Sequence, residues 1–131
     1  MFTLTTNTTT SGPLFNGTAE RALHAFVTEV ADEVAREGVD IVRNELDRVL
    51  KNPSTPGRYR ARITTRNVTY DRSDVHDNNC VYGPWLAGTG SRNKSTRFKG
   101  YKHWRIATLK LQGAAPGIAE NVLHRYMARL N

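Results

Sequence analysis

The sequence predicts one α+β domain over residues 1–131, with a long N-terminal amphipathic helix and a C-terminal helical segment packed on a small, mostly antiparallel sheet. Two observations carry this prediction. Apolar residues recur with a 3.6-residue period from Leu23 to Leu50, which is typical of an amphipathic helix. The period changes to two from Arg58 to Tyr70, which is typical of a half-buried strand.

Residues 1–15 form a β-prone N-terminal arm, because threonine is frequent there and apolar residues alternate with polar ones at its start. The long helix is expected to begin near Asn16 or Thr18, either of which can cap it. It is expected to end near Lys51, before Pro53. Such a helix is long for a domain of this size, so we expect one end to pack against a neighbouring molecule.

After a turn, the sequence predicts a strand with one apolar face and one arginine face, and Asn67 marks a bend or bulge within it. The arginine face carries Arg58, Arg60, Arg62 and Arg66. Four arginines cannot be buried without partners. We therefore expect this face to meet water, acidic residues of a neighbour, or phosphates.

Further along the chain, residues 71–79 predict a polar loop and residues 80–86 a second strand. That strand leads into a glycine-rich basic loop at residues 88–100. The C-terminal pattern is helical, but Gly113 and Pro116 predict an interruption. Pro116 is well placed in the first turn of a last helix.

Residues 88–100 predict an extended basic assembly loop. Its start, G-T-G-S-R-N-K-S-T, nearly fits a phosphate-binding loop, but Asn93 replaces the second glycine and no clear strand and helix flank the segment. We therefore expect the glycines to let the loop conform and the cations to bind an adjacent subunit. The predicted interface residues are Gly88, Thr89, Gly90, Arg92, Lys94, Arg97, Phe98, Lys99 and Tyr101.

Charge is distributed unevenly along the chain. Residues 1–56 carry five basic and eight acidic residues, which gives −3, and residues 57–131 carry fourteen and four, which gives +10. This asymmetry suggests a polyanionic partner or an oppositely charged neighbour, and charge alone leaves a plain basic surface equally open.

No pattern in the chain predicts catalysis, a metal site or a cofactor. His76 and Cys80 are four residues apart, His103 is distant, and no C-x-x-C or H-x-x-x-H spacing occurs. Cys80 is expected to be a half-buried structural thiol. No apolar run approaches the roughly 18 residues of a membrane span, and the start has no signal-peptide pattern. We therefore predict a protein that is not an enzyme and does not enter a membrane.

Several short motifs appear in a characteristic order. They are G-P-L-F-N-G, P-S-T-P-G-R-Y-R-A-R-I, V-Y-G-P-W-L-A-G-T-G and R-F-K-G-Y. This order resembles the small neck or tail-completion proteins of long-tailed bacteriophages, also called head-to-tail connector or minor tail-component proteins. The matching positions are Gly57, then Tyr82, Trp85, Leu86, Gly88 and Thr89, then Arg97, Phe98 and Tyr101.

The resemblance implies a structural virion protein, made in the host cytoplasm and located at the neck between head and tail. It implies a homo-oligomeric ring, commonly six-fold, that contacts neighbouring connector, tail terminator or tail tube proteins. Packaged DNA in the ring lumen would be a non-specific partner of the arginine face. Two alternatives stay open: a tail terminator ring capping the tail tube, and a non-specific nucleic-acid-binding protein.

Overall fold

The computed structural model describes residues 2–5, 17–50 and 55–130. The elements are β1 (Phe2–Thr5), α1 (Gly17–Val49), α2 (Thr55–Arg62), β2 (Thr64–Thr69), β3 (Arg72–His76), α3 (Gly83–Ala87), α4 (Arg92–Ser95) and α5 (His103–Leu130). Two long helices pack with a three-stranded antiparallel sheet. The predicted α+β architecture is confirmed.

Helix α1 has 33 residues, which is about 50 Å at 1.5 Å per residue. Its bounds match the predicted long helix to within two residues at each end. The predicted apolar stripe is the buried face, formed by Val27, Val30, Val34, Val42 and Leu46. Each of these side chains contributes roughly 1.5–3 kcal/mol through burial.

Helix α5 runs antiparallel to α1, and ion pairs fix its position at both ends. Lys110 pairs with Glu45 near one end of the contact. Near the other end, Arg125 pairs with Glu29 at 3.2 Å and also with Glu33. Helix α5 of the same chain is thus long enough to pack along α1 from Glu29 to Glu45. The expectation that α1 needs a neighbouring molecule to cover it is wrong for this face.

The two helices and the sheet meet most closely at Gly38. A Cβ at this position would lie 3.1 Å from Leu111 Cδ2 and 3.2 Å from both Phe2 Cζ and Val75 Cγ2. A side chain at this position would crowd all three neighbours, so glycine lets them pack closely against α1.

The strand order is β1-β3-β2, so β3 is the central strand. The sequence predicted a polar loop there, which is wrong. Ser73, Asp74 and Val75 of β3 are all buried. Asp74 is buried because Arg66 pairs with it at 3.0 Å. The predicted bulge at Asn67 is confirmed by a register shift between Asn67 and Thr69.

The predicted strand from residue 58 begins only at Thr64, because residues 55–62 form helix α2. Tyr59 and Ile63 are both fully buried. They are four residues apart, so a helical turn places them on one side as well as a strand would. Arg62 ends the helix, and its carbonyl accepts a hydrogen bond of 3.1 Å from the Asn78 amide.

Two further predictions are wrong. The predicted second strand at residues 80–86 is a turn followed by helix α3, in which Pro84 lies in the first turn. Helix α5 is continuous through Gly113 and Pro116. Its inner face packs on α1 through Leu111 and Val122, and this burial outweighs the helix-breaking effect of proline.

Cys80 is buried at 4% exposure within the main core. Within residues 2–5, 17–50 and 55–130, no helix combines the length and apolar composition that crossing a membrane requires. The same residues contain no group of three or more His, Cys, Asp or Glu side chains that could hold a metal ion.

Candidate functional site

Residues 88–100 form a closed, compact loop. Gly88 and Gly100 both have positive φ, at +88° and +92°. A Cβ on Gly100 would lie 2.2 Å from Gly88 Cα, so the two glycines pack backbone to backbone. The Tyr101 N–H donates to the Leu86 carbonyl at 2.7 Å and fixes the far end. The prediction of an extended loop is wrong, because residues 92–95 form α4 and the glycines serve close contact.

Asn93 holds this loop together from inside. Its side chain is 4% exposed. Its Nδ2 donates to the carbonyls of Trp85 at 3.0 Å and Phe98 at 3.1 Å, and its Oδ1 accepts from the Gly90 N–H at 3.0 Å. The Lys99 ammonium donates to the Asn93 carbonyl at 2.7 Å. Asn93, which replaces the second glycine of a phosphate loop, thus binds backbone groups of Gly90 and Phe98 in its own loop and of Trp85 in α3.

The loop and the start of α5 expose six cations, which together we call the basic surface. These are Arg92, Lys94, Arg97, Lys99, Lys102 and Arg105. None of the six forms an ion pair with another described residue. No acidic residue occurs in the chain between Asp77 and Glu120. The basic surface is therefore a region of positive potential that its own segment does not neutralise.

Aromatic rings support the basic surface. The Trp85 and Phe98 ring centroids are 4.9 Å apart, and those of Phe98 and Tyr101 are 5.0 Å apart. The Arg92 guanidinium lies 5.8 Å from the Trp85 centroid, within the range of a cation–π contact. All three rings are partly exposed, so they place flat apolar area beside the cations.

The four arginines predicted on one strand face do not share a face. The predicted set was Arg58, Arg60, Arg62 and Arg66. Arg60 lies in α2 and pairs with Asp47, Nε to Oδ1 at 3.0 Å. Arg66 lies in β2 and pairs with Asp74. Arg58 also lies in α2, but its side chain falls outside the described residues. The arginine-face prediction is therefore wrong in its geometry.

A buried polar cluster joins α2, the turn after β3 and the start of α5. The Tyr59 hydroxyl donates to Asp77 Oδ2 at 3.0 Å and lies 3.2 Å from His103 Nε2. Burial lowers the pKa of His103 to about 4, so the ring is neutral and its Nε2–H donates to the tyrosine oxygen. Burial, aided by the Asp77 carboxylate, raises the pKa of the Tyr59 hydroxyl well above its usual range. The cluster is therefore a chain of hydrogen bonds that runs from the neutral His103 ring through the Tyr59 hydroxyl to the Asp77 carboxylate.

An open groove of about 740 Å³ lies beside the basic surface. Asp77 and Cys80 line one side of it, and Thr89, Lys102 and Arg105 line another. Val81 also lines the groove, and 96% of its surface is exposed. The groove thus places an exposed apolar side chain next to two of the six cations.

Comparison of the chain with protein-family models, with curated proteins and with solved structures found no match.

The predicted set of interface residues contains four of the six cations of the basic surface and leaves out Lys102 and Arg105. The signal that would have found them is the absence of any acidic residue from position 78 to position 119. Asn93 was noted only as a departure from a motif. Its role depends on three partners spread over residues 85–98, which no local pattern reveals.

Proposed function

We propose that this protein is a structural virion protein that forms a ring at the neck of a long-tailed phage and joins or completes the head–tail junction. It has no catalytic role. The observation that carries the proposal is the basic surface: six exposed cations on a closed loop and helix start, with no carboxylate paired to them in the described residues. The order of motifs in the sequence agrees with this assignment.

The construction of the basic surface favours an assembly contact. Like charges held close together destabilise an isolated protein, and a partner of opposite charge relieves that repulsion. The loop is fixed by Asn93 and by the contact of Gly88 with Gly100. A loop already ordered before binding loses little conformational entropy when a partner docks.

Exposed apolar side chains on α5 favour a protein partner. Leu109, Leu123 and Met127 are 63%, 44% and 52% exposed. Their spacings of 14 and 4 residues place them on one face of the helix. Gly113 lies between them along the chain, and nothing lies within 4 Å of where its Cβ would be. This face can pack against another subunit of a virion assembly.

The sheet also offers pairing positions. Of the described strands, β1 and β2 are the two outer ones. Val68 in β2 and Tyr70 just after it are 42% and 51% exposed. An outer strand with exposed apolar residues is suited to contact with a neighbouring chain. A tail terminator ring uses the same physical properties and differs only in its place in the virion, at the end of the tail tube.

A second candidate, non-specific nucleic-acid binding, is favoured by the aromatic rings. Trp85, Phe98 and Tyr101 are partly exposed among the cations, and bases stack on such rings without sequence preference. Phosphates would then replace the carboxylates of a neighbouring subunit as the partner of the basic surface.

Light scattering of the purified protein, with and without duplex DNA at low and moderate salt, separates the two candidates. A discrete oligomer without DNA is the result expected for a ring protein. A monomer whose DNA affinity falls steeply with salt would contradict the neck assignment. Immunogold labelling of virions then tests the location, with label at the head–tail junction as the expected outcome and label at the far end of the tail as the contrary one.

A further inference from the structure

The outer face of α1 is an unpartnered helix face with carboxylates on it. Asp32, Glu37 and Asp40 point away from the core and form no ion pair with another described residue. Glu29 and Glu33 lie on the same side and share Arg125. Arg36 also lies on this face, and Arg21 lines the same groove as Glu29 and Asp32. With Arg125 of α5, five carboxylates against three cations leave a net charge of −2.

The acidic face and the basic surface of one molecule form no ion pair with each other among the described residues. The antiparallel ion pairs place the start of α5 toward the C-terminal half of α1, whereas Glu29 and Asp32 lie in its N-terminal half.

We propose that the outer face of α1 binds the basic surface of a second copy of this chain. The argument is charge complementarity: a surface of six cations without carboxylates meets a helix face with a net charge of −2. The inference rests on the proposed ring function and names the two surfaces that would form its subunit contact.

This contact has a defined symmetry. The two surfaces are different, so each copy uses its basic surface on one neighbour and its α1 face on the other. Such a head-to-tail contact propagates, and it forms a ring when the rotation between subunits closes. A two-fold dimer that pairs each basic surface with the other copy's α1 face would stop at two copies, so an assembly larger than a dimer distinguishes the head-to-tail contact.

Two neutralised variants test the contact. The first, D32N/E37Q/D40N, removes the three carboxylates of the outer face that form no ion pair with another described residue. The second, K94Q/R97Q/R105Q, removes three cations and spares Arg92 and Lys99, which support the loop. A matched control, E20Q/E120Q, removes two exposed carboxylates elsewhere.

Analytical ultracentrifugation at low salt, without nucleic acid, gives the readout. The wild type and the control are expected to self-associate, and each neutralised variant alone is expected to dissociate at least about tenfold more readily. An equimolar mixture of the two variants should form a heterodimer and nothing larger, because only one intact contact remains. Circular dichroism of each variant checks that it is folded.

Three results would overturn the inference. The wild type could stay monomeric up to about 1 mM. Either neutralised variant could associate as the wild type does, which would shift the contact to other surfaces, such as the apolar face of α5, and leave the ring proposal standing. The mixture could fail to form a heterodimer. Failure of the neck assignment is seen separately, as virions without label at the head–tail junction.

Discussion

His103 Nε2 lies 3.2 Å from the hydroxyl oxygen of Tyr59, and both side chains are at most 1% exposed. The imidazole therefore has to be neutral in the folded protein. The Nδ1 atom of His103 has no hydrogen-bond partner among the described residues, so a second proton there would be buried and unpaired.

Stability is expected to fall as the pH drops from about 6.5, the pKa of a free histidine, toward 4. The folded-state pKa of His103 is lowered by burial, so in this range the unfolded chain binds a proton that the folded chain does not. The loss amounts to about 3 kcal/mol across the window. Urea unfolding at several pH values measures it.

The control for this prediction is His103→Gln, which does not titrate and should flatten the slope between pH 6.5 and 4.5 even if it lowers stability overall. Glu45 and Asp74 also have lowered pKa values. Glu45 gains a hydrogen bond from Lys110, and Asp74, despite its burial, gains one from Arg66. Their contributions are lost only below about pH 4.5. An unchanged slope above that pH in the variant would contradict the assignment to His103.

Asn93→Ala should destabilise the loop of the basic surface. It removes three hydrogen bonds, and the Trp85 carbonyl, the Phe98 carbonyl and the Gly90 N–H keep only their contacts with Gly88, Thr96 and Pro84. We expect a cost of about 1–3 kcal/mol. Hydrogen exchange over residues 88–100 should quicken. Asn121→Ala, at an exposed position of α5, is the matched control and should change stability by less than about 0.5 kcal/mol. Equal protection of the loop in both variants would refute the role given to Asn93.

Two glycine substitutions should have opposite signs. Gly100→Ala places a methyl 2.2 Å from Gly88 Cα at a φ of +92°, and we expect it to cost more than about 2 kcal/mol. Gly113→Ala fills open space in a helix and should add about 0.5–1 kcal/mol. Thermal unfolding of the two variants compares them directly. If the free energy of unfolding of Gly100→Ala equalled that of the wild type, the contact between Gly88 and Gly100 would not contribute to stability.

Pro116→Ala should stabilise α5. Proline inside a helix removes the donor to the carbonyl four residues earlier, that of Gln112, and its ring crowds the same carbonyl. We expect a gain of about 1–3 kcal/mol in the free energy of unfolding, measured by urea denaturation. Ala114→Ser, two residues away, serves as a control that leaves the backbone hydrogen bond in place. No gain with Pro116→Ala would imply that the helix is locally deformed to accommodate the ring.

The sequence predicted α1 well because its 3.6-residue period extends over many turns. It failed where two periods coincide: Tyr59 and Ile63 fit a strand and a helix equally, and only packing on the core selects the helix. It failed again at β3, whose buried polar residues Asp74 and Ser73 have their partners, Arg66 and Asn67, on another strand. In the candidate site the sequence identified most of the cations. Their arrangement could not be predicted, because it depends on Asn93 and on the contact between Gly88 and Gly100, which are twelve residues apart.

The ion pairs between α1 and α5 also bear on the register of the two helices, that is, on their relative position along the helix axis. Glu29 and Glu45 are 16 residues apart on α1, and their partners Arg125 and Lys110 are 15 apart on α5, so the spacings match at roughly 23 Å. A slip of one helical turn, about 5.4 Å, would break the Lys110–Glu45 pair and take from Arg125 one of its two carboxylates, Glu29 or Glu33. Together with the packing of Leu111 and Val122 on α1, these pairs favour a single register of the two helices.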